Sequence, residues 1–242
     1  MAGHSRWAQI RHKKAGADAK RGALFSKLAR LIAVAARDGG GDPARNSKLR
    51  QAMDQARDAG VPKENIERAI LRGTGGGEMQ DLRAVEYEAY GPGGIALLIA
   101  GLTDNPNRTT SEIKKVVNEF GGRLVESGGV AWMFRRCVIF EFDAPPEPTE
   151  AVELVLIDAG ALDTYAGDGS VQALVALESC EDFQKNISSR GLSPRRQYLT
   201  AVAQNPVQLE SKDRALAEAV IAALEEHPDI TAVWTTLARD SA

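Results

Sequence analysis

Cysteine is scarce. Cys137 and Cys180 stand isolated in 242 residues, with no paired spacing and no nearby histidine, a usage that fits a reducing cytoplasm. Histidine is also scarce: His4, His12 and His227 sit at no metal-ligand spacing. His227 falls at a helix C-terminus before Pro228, where a cation complements the helix dipole. No apolar run reaches the length of a membrane span, since the longest, Ile95 to Leu102, is strand-sized, and there is no secretory apolar region. No nucleophile elbow occurs; Gly191-Leu192-Ser193-Pro194-Arg195 begins like one and then fails. Gly73-Thr74-Gly75-Gly76-Gly77 lacks the Lys-Ser or Lys-Thr of a phosphate loop and follows no strand, so it reads as a helix terminator. These absences lead us to expect no catalytic residues, no metal, no cofactor, no membrane partner and no enzyme activity.

What is present is a folded composition, 43% apolar and 26% charged, with a formal net charge of −3. The charge is unevenly placed. Residues 1–76 carry 16 Lys+Arg against 7 Asp+Glu, and residues 77–242 carry 14 against 26. The first thirty residues hold eight Lys+Arg and a single acid, Asp18. A basic head on an acidic body is expected where one end meets a polyanion and the rest must not.

The apolar pattern divides the chain. Residues 1–19 have little periodicity and read as an extended arm. Leu24, Leu28, Leu31, Ile32 and Ala35 form one face of a helix over 20–37, and Lys27, Arg30 and Arg37 cluster on another side. Asp42-Pro43 is expected to open a second helix to Ala59, and Pro62 a third to Arg72. From Val85 onward strands and helices alternate, with strands expected at 85–89, 94–103, 123–125 and 130–134 and a helix at 105–120. Residues 137–203 follow a β-α-β-β-α-β order, which is ferredoxin-like. The tail, a helix over 211–226 and a strand over 230–237, supplies what the first of these units lacks. The expected fold class is therefore α+β: an N-terminal three-helix bundle and two α/β (ferredoxin-like) domains, the last inserted into the middle one, although three consecutive domains with a free C-terminal helix fit the same periodicity. The expected boundaries are 1–79, 80–134 plus 206–240, and 135–205.

In the arm and first helix, His4, Arg6, Trp7, Arg11, His12, Lys13, Lys14, Lys20, Arg21, Lys27 and Arg30 put cations at nearly every reachable position, with an indole among them. Cations neutralise phosphates and release counterions, and an indole can stack on a base, so these are the candidate nucleic-acid contacts. The helix from Pro62 to Arg72 also reads as the second helix of a helix-turn-helix, with Lys63, Glu67 and Arg68 exposed, although any helical hairpin gives a similar pattern. Asn105, Asn107 and Arg108, at the start of a helix, form a secondary candidate anion contact, although capping explains the same residues.

Several stretches resemble the YebC/PmpR family. They are Met1-Ala2-Gly3-His4-Ser5-Arg6-Trp7, Arg11-His12-Lys13-Lys14, Asp18 to Gly22, and Pro62 to Ile70 with Gly73-Thr74-Gly75. Tyr87 to Gly94, Leu102 to Asn105, Asn107 to Thr109 and Val130 to Phe134 also match. The chain departs at Pro106, where relatives often carry Arg. The resemblance implies three domains and a cytoplasmic DNA-binding transcriptional regulator acting at promoter regions. It leaves open a translation factor docking on ribosomal RNA, because bacterial members have been linked to stalled ribosomes and a mitochondrial relative activates translation of cytochrome c oxidase subunit I.

Overall fold

The computed structural model describes residues 17–76, 82–143, 149–167 and 169–238. In chain order the elements begin with helices α1 (Ala17–Gly39), α2 (Ser47–Asp58) and α3 (Lys63–Gly73). Strands β1 (Arg83–Tyr90) and β2 (Ala96–Thr103), helix α4 (Pro106–Glu119) and strand β3 (Arg123–Val125) follow. Next come β4 (Phe134–Asp143), α5 (Thr149–Asp158), β5 (Asp163–Gly167), β6 (Ser170–Ala176), α6 (Cys180–Ser189) and β7 (Arg196–Ala203). Helix α7 (Ser211–Glu226) and strand β8 (Ile230–Thr235) complete the order.

The bundle closes on Leu28, Ile32, Leu49, Ala56, Ile66 and Ala69, all buried. Its helices approach closely where α3 meets α1. A Cβ on Gly73 would stand 2.3 Å from the Ala33 carbonyl oxygen, so only glycine fits there without a shift of backbone. Helix α2 starts later than the Asp42-Pro43 pair suggests. The Asp42 carboxylate instead accepts the Ala44 N–H at 2.9 Å and closes a turn. The cap is Asn46, whose Oδ1 accepts the Leu49 N–H at 3.0 Å. Its amide nitrogen donates to Ala35 O and Gly40 O at the end of α1, which satisfies carbonyls that a helix end leaves without partners.

Two four-stranded antiparallel sheets follow, ordered β3-β1-β2-β8 and β5-β6-β4-β7. Helices α4 and α7 cover one face of the first through Ile113, Val117, Val220 and Leu224. The second has the ferredoxin-like order, and α5 and α6 contribute Leu156, Phe183 and Ile187 to its core. The fold is therefore α+β, and the second sheet unit is inserted into the first between β3 and α7. The described residues form two compact units, 17–132 with 207–238, and 133–206.

Residues 130–134 are not the expected strand. A single 3-10 turn, Ala131–Met133, precedes β4. The reason is the buried carboxylate of Glu88 on β1. It accepts the N–H groups of Gly128 at 2.7 Å, Val130 at 2.6 Å and Ala131 at 2.7 Å, so these donors are lost to any strand ladder. No helix among the described residues is long and apolar enough to cross a membrane.

Candidate nucleic-acid interface

Helix α1 carries its charge on two sides. Arg21 is exposed and has no partner among the described residues. The arc of Lys27, Arg30 and Arg37 faces the remainder of its own unit. The Lys27 ammonium is buried and donates to Glu225 O at 2.8 Å, in the last turn of α7. A cation at that position meets both an orphan carbonyl and the negative end of the helix dipole. Burial pushes the Lys27 ammonium down to about 8, against the attraction of Glu225 and despite Asp229 nearby. Arg30 pairs with Asp229 at 3.0 Å, and the Arg37 guanidinium donates to Leu82 O at 3.1 Å. These three cations hold the bundle against the first sheet unit.

The residues His4, Arg6, Trp7, Arg11, His12, Lys13 and Lys14 lie outside the described residues, and Lys20 lies on α1 with its side chain outside them. The exposed described cations continue onto α2 and α3 as Lys48, Arg50, Arg57, Lys63, Arg68 and Arg72. Arg50 and Arg57 stand two turns apart at a shallow groove that also includes Met53 and Asp54. Arg57 pairs with Asp54 at 2.8 Å, and Lys63 with Glu67 at 3.7 Å.

The loop before α4 is tied inward. Asn105 caps α4 by accepting the Arg108 N–H at 3.1 Å, and Pro106 occupies the first helical position, where its missing N–H costs nothing. Asn107 is exposed, and its carbonyl accepts the Ser111 hydroxyl at 3.0 Å. Arg108 pairs with Asp104 and with Asp229, each at 2.8 Å. Asp229 is buried and also accepts the Thr109 hydroxyl at 2.7 Å. Burial alone would raise its carboxyl, and the bonds from Thr109, Arg108 and Thr103 outweigh that and hold it below the usual range.

Glu112, His227 and Asp229 offer ligand atoms within 4.8 Å of one another. Two guanidinium groups already occupy the Asp229 carboxylate. His227 Nδ1 accepts the Asp229 N–H at 3.2 Å, which leaves Nε2, 3.0 Å from Glu112, to carry the proton of the neutral ring. This node is an ion-pair network, and a dication there would face two fixed positive charges. Sequence reasoning missed Asp229 as the hub of these contacts. Arg30 lies 199 residues away from it, and no local spacing announces such a pair.

Residues 5–76 match the TACO1/YebC protein N-terminal domain, and residues 82–237 match the TACO1/YebC second and third domain. The chain belongs to the TACO1/YebC family. Among its TACO1/YebC relatives is a protein of Dictyoglomus turgidum named probable transcriptional regulatory protein, 40% identical over 95% of this chain and 93% of the relative. One from Thermotoga maritima with the same name is 39% identical over 99% of this chain and 95% of its own length. The crystal structure of a conserved hypothetical protein from Aquifex aeolicus superposes with a TM-score of 0.79 at 38% identity, covering 97% of each chain. The three-helix bundle described above falls within the stretch matched as the family's N-terminal domain.

Proposed function

We propose that this member of the TACO1/YebC family is a non-enzymatic, nucleic-acid-binding transcriptional regulator that grips duplex DNA through its basic N-terminal segment. One observation carries the reading: 16 Lys+Arg against 7 Asp+Glu in residues 1–76, opposed to 14 against 26 in the remainder. The names of its relatives support a regulatory role. In this reading Arg6, Arg11, Lys13, Lys14, Lys20 and Arg21 meet phosphate, while Lys27 and Arg30 keep the bundle in place behind them. Trp7 supplies a stacking face, and His4 and His12 add donors.

The test is a titration of labelled duplex DNA at several salt concentrations. With about five phosphates neutralised, log K falls against log salt with a slope of roughly −4 to −5. Replacing Arg11, Lys13, Lys14 and Lys20 together by Glu abolishes binding and leaves the helical content intact. Undiminished binding by that variant moves the site elsewhere. Crosslinking in cells distinguishes targets: reads concentrated on ribosomal RNA, with no promoter enrichment, overturn the transcriptional reading in favour of a translation factor.

A further inference from the structure

The geometry points to α3 as a sequence-reading helix that enters the DNA major groove as the second helix of a helix-turn-helix. The inference rests on the duplex-binding reading above and deepens it by naming the residues that would choose the site.

The turn is built for this. Helix α2 ends in a Schellman motif. Gly60, with a φ of +79°, donates to Arg57 O at 2.9 Å, and Val61 donates to Ala56 O at 2.9 Å. The glycine is required there because other residues reach that backbone conformation only with strain. Val61 returns to the core beside Ala56, and both are buried. Residues 59–62 thus join α2 and α3 by the short glycine-containing turn of this motif.

Helix α3 then divides cleanly. Ile66, Ala69 and Gly73 are buried. Lys63, Glu64, Glu67, Arg68 and Leu71 are all exposed and run along the opposite side at i, i+1, i+4, i+5 and i+8. Leu71 is a large apolar side chain left 57% exposed on this stripe. No side chain caps the N-terminus of α3, and the Asn65 N–H turns back to Pro62 O at 2.9 Å.

The side chains suit base edges. Arg68 is held by Asn65 Oδ1 at 2.5 Å and by Glu64 O at 3.3 Å, which pre-orients the guanidinium and leaves Nη1 unbonded among the described residues. A guanidinium so placed matches the O6 and N7 acceptors of guanine, a carboxylate such as Glu67 accepts from the cytosine amino group, and an apolar group meets the thymine methyl. The partner is B-form DNA and not duplex RNA, because the A-form major groove is too deep and narrow for side chains to read.

The experiment uses the full chain. Wild type and the variants Arg68→Ala and Glu67→Ala are each selected against a random-sequence duplex library, and guanine N7 methylation interference maps the contacts. Wild type is expected to enrich a consensus and to be blocked by methylation within it. Arg68→Ala is expected to lose roughly 5- to 150-fold affinity for that consensus and to relax it at one position. Its affinity for arbitrary duplex is expected to stay within about twofold, since the phosphate contacts remain. Both substitutions are on the exposed stripe, and unchanged thermal unfolding verifies that each variant is folded. Failure of wild type to enrich any consensus, or the same consensus and affinity from both variants, overturns the inference while leaving DNA binding by the basic segment standing. Binding of ribosomal RNA with no binding of duplex DNA overturns both readings.

Discussion

Glu88 illustrates how one side chain decides local structure. Its carboxylate sits in the interior and gathers three backbone N–H groups from the segment 128–131. A buried carboxylate is tolerable only when it is bonded this fully, and these three bonds tie the segment to β1. Replacing Glu88 by Ala strands three donors and is expected to cost about 2–4 kcal/mol. Urea unfolding measures this, and a loss below about 0.5 kcal/mol would show that the segment is held by something else. From sequence alone Glu88 is an ordinary strand carboxylate, because its partners lie some forty residues away.

Among the elements, α1 carries the most instructive contrast. Its apolar face is legible in the spacing of Leu24, Leu28, Leu31 and Ile32, and so is the grouping of Lys27, Arg30 and Arg37. Where that arc points is not legible, because Glu225 and Asp229 enter from the far end of the chain. The burial of Lys27 has a measurable consequence. The unfolded chain keeps an ordinary lysine near 10.4, and the folded one is lowered to about 8. Between those values the unfolded state binds more protons, so stability rises with pH through that window as the cost of burying the charge is relieved. Lys27→Met lacks the rise. The stability difference between wild type and this variant, from urea midpoints at several pH values, is expected to shift toward wild type by no more than about 3 kcal/mol from about pH 8 to 10. A flat difference would mean that the ammonium is solvated. The start of α2 shows the same limit, for Asp42-Pro43 and Asn46 are both sound caps by composition. Only contact with the end of α1 selects Asn46.

For the molecule entire, the insertion of one sheet unit into another has a geometric requirement: its two ends must meet. They do, since Phe134 is registered opposite Ala203 and the Gln204 N–H donates to Met133 O at 2.9 Å. A short link can therefore replace residues 134–205. The shortened chain is expected to keep the bundle, the β3-β1-β2-β8 sheet and one cooperative unfolding transition by circular dichroism. Loss of that transition would show that the first unit depends on the second. The β-α-β-β-α-β order of the inserted unit was readable because strands and helices alternate with clear period changes. The return of α7 and β8 to the first sheet was readable only as a matter of completeness, since an unfinished sheet needs a closing strand.

Periodicity, turn glycines and capping residues are local properties. They suffice to identify the helices, nearly all the strands, the α+β class and the family, because each depends on neighbours a few positions apart. The assignment of charges is different. Lys27, Arg30 and Arg108 look as free as Arg21 in a linear string, yet the folded chain commits Lys27 to the Glu225 carbonyl and both arginines to Asp229. Electrostatic energy depends on distance and burial in space, and folding brings together groups that the chain holds 121 to 199 residues apart. Which cations remain exposed toward solvent was settled by packing alone.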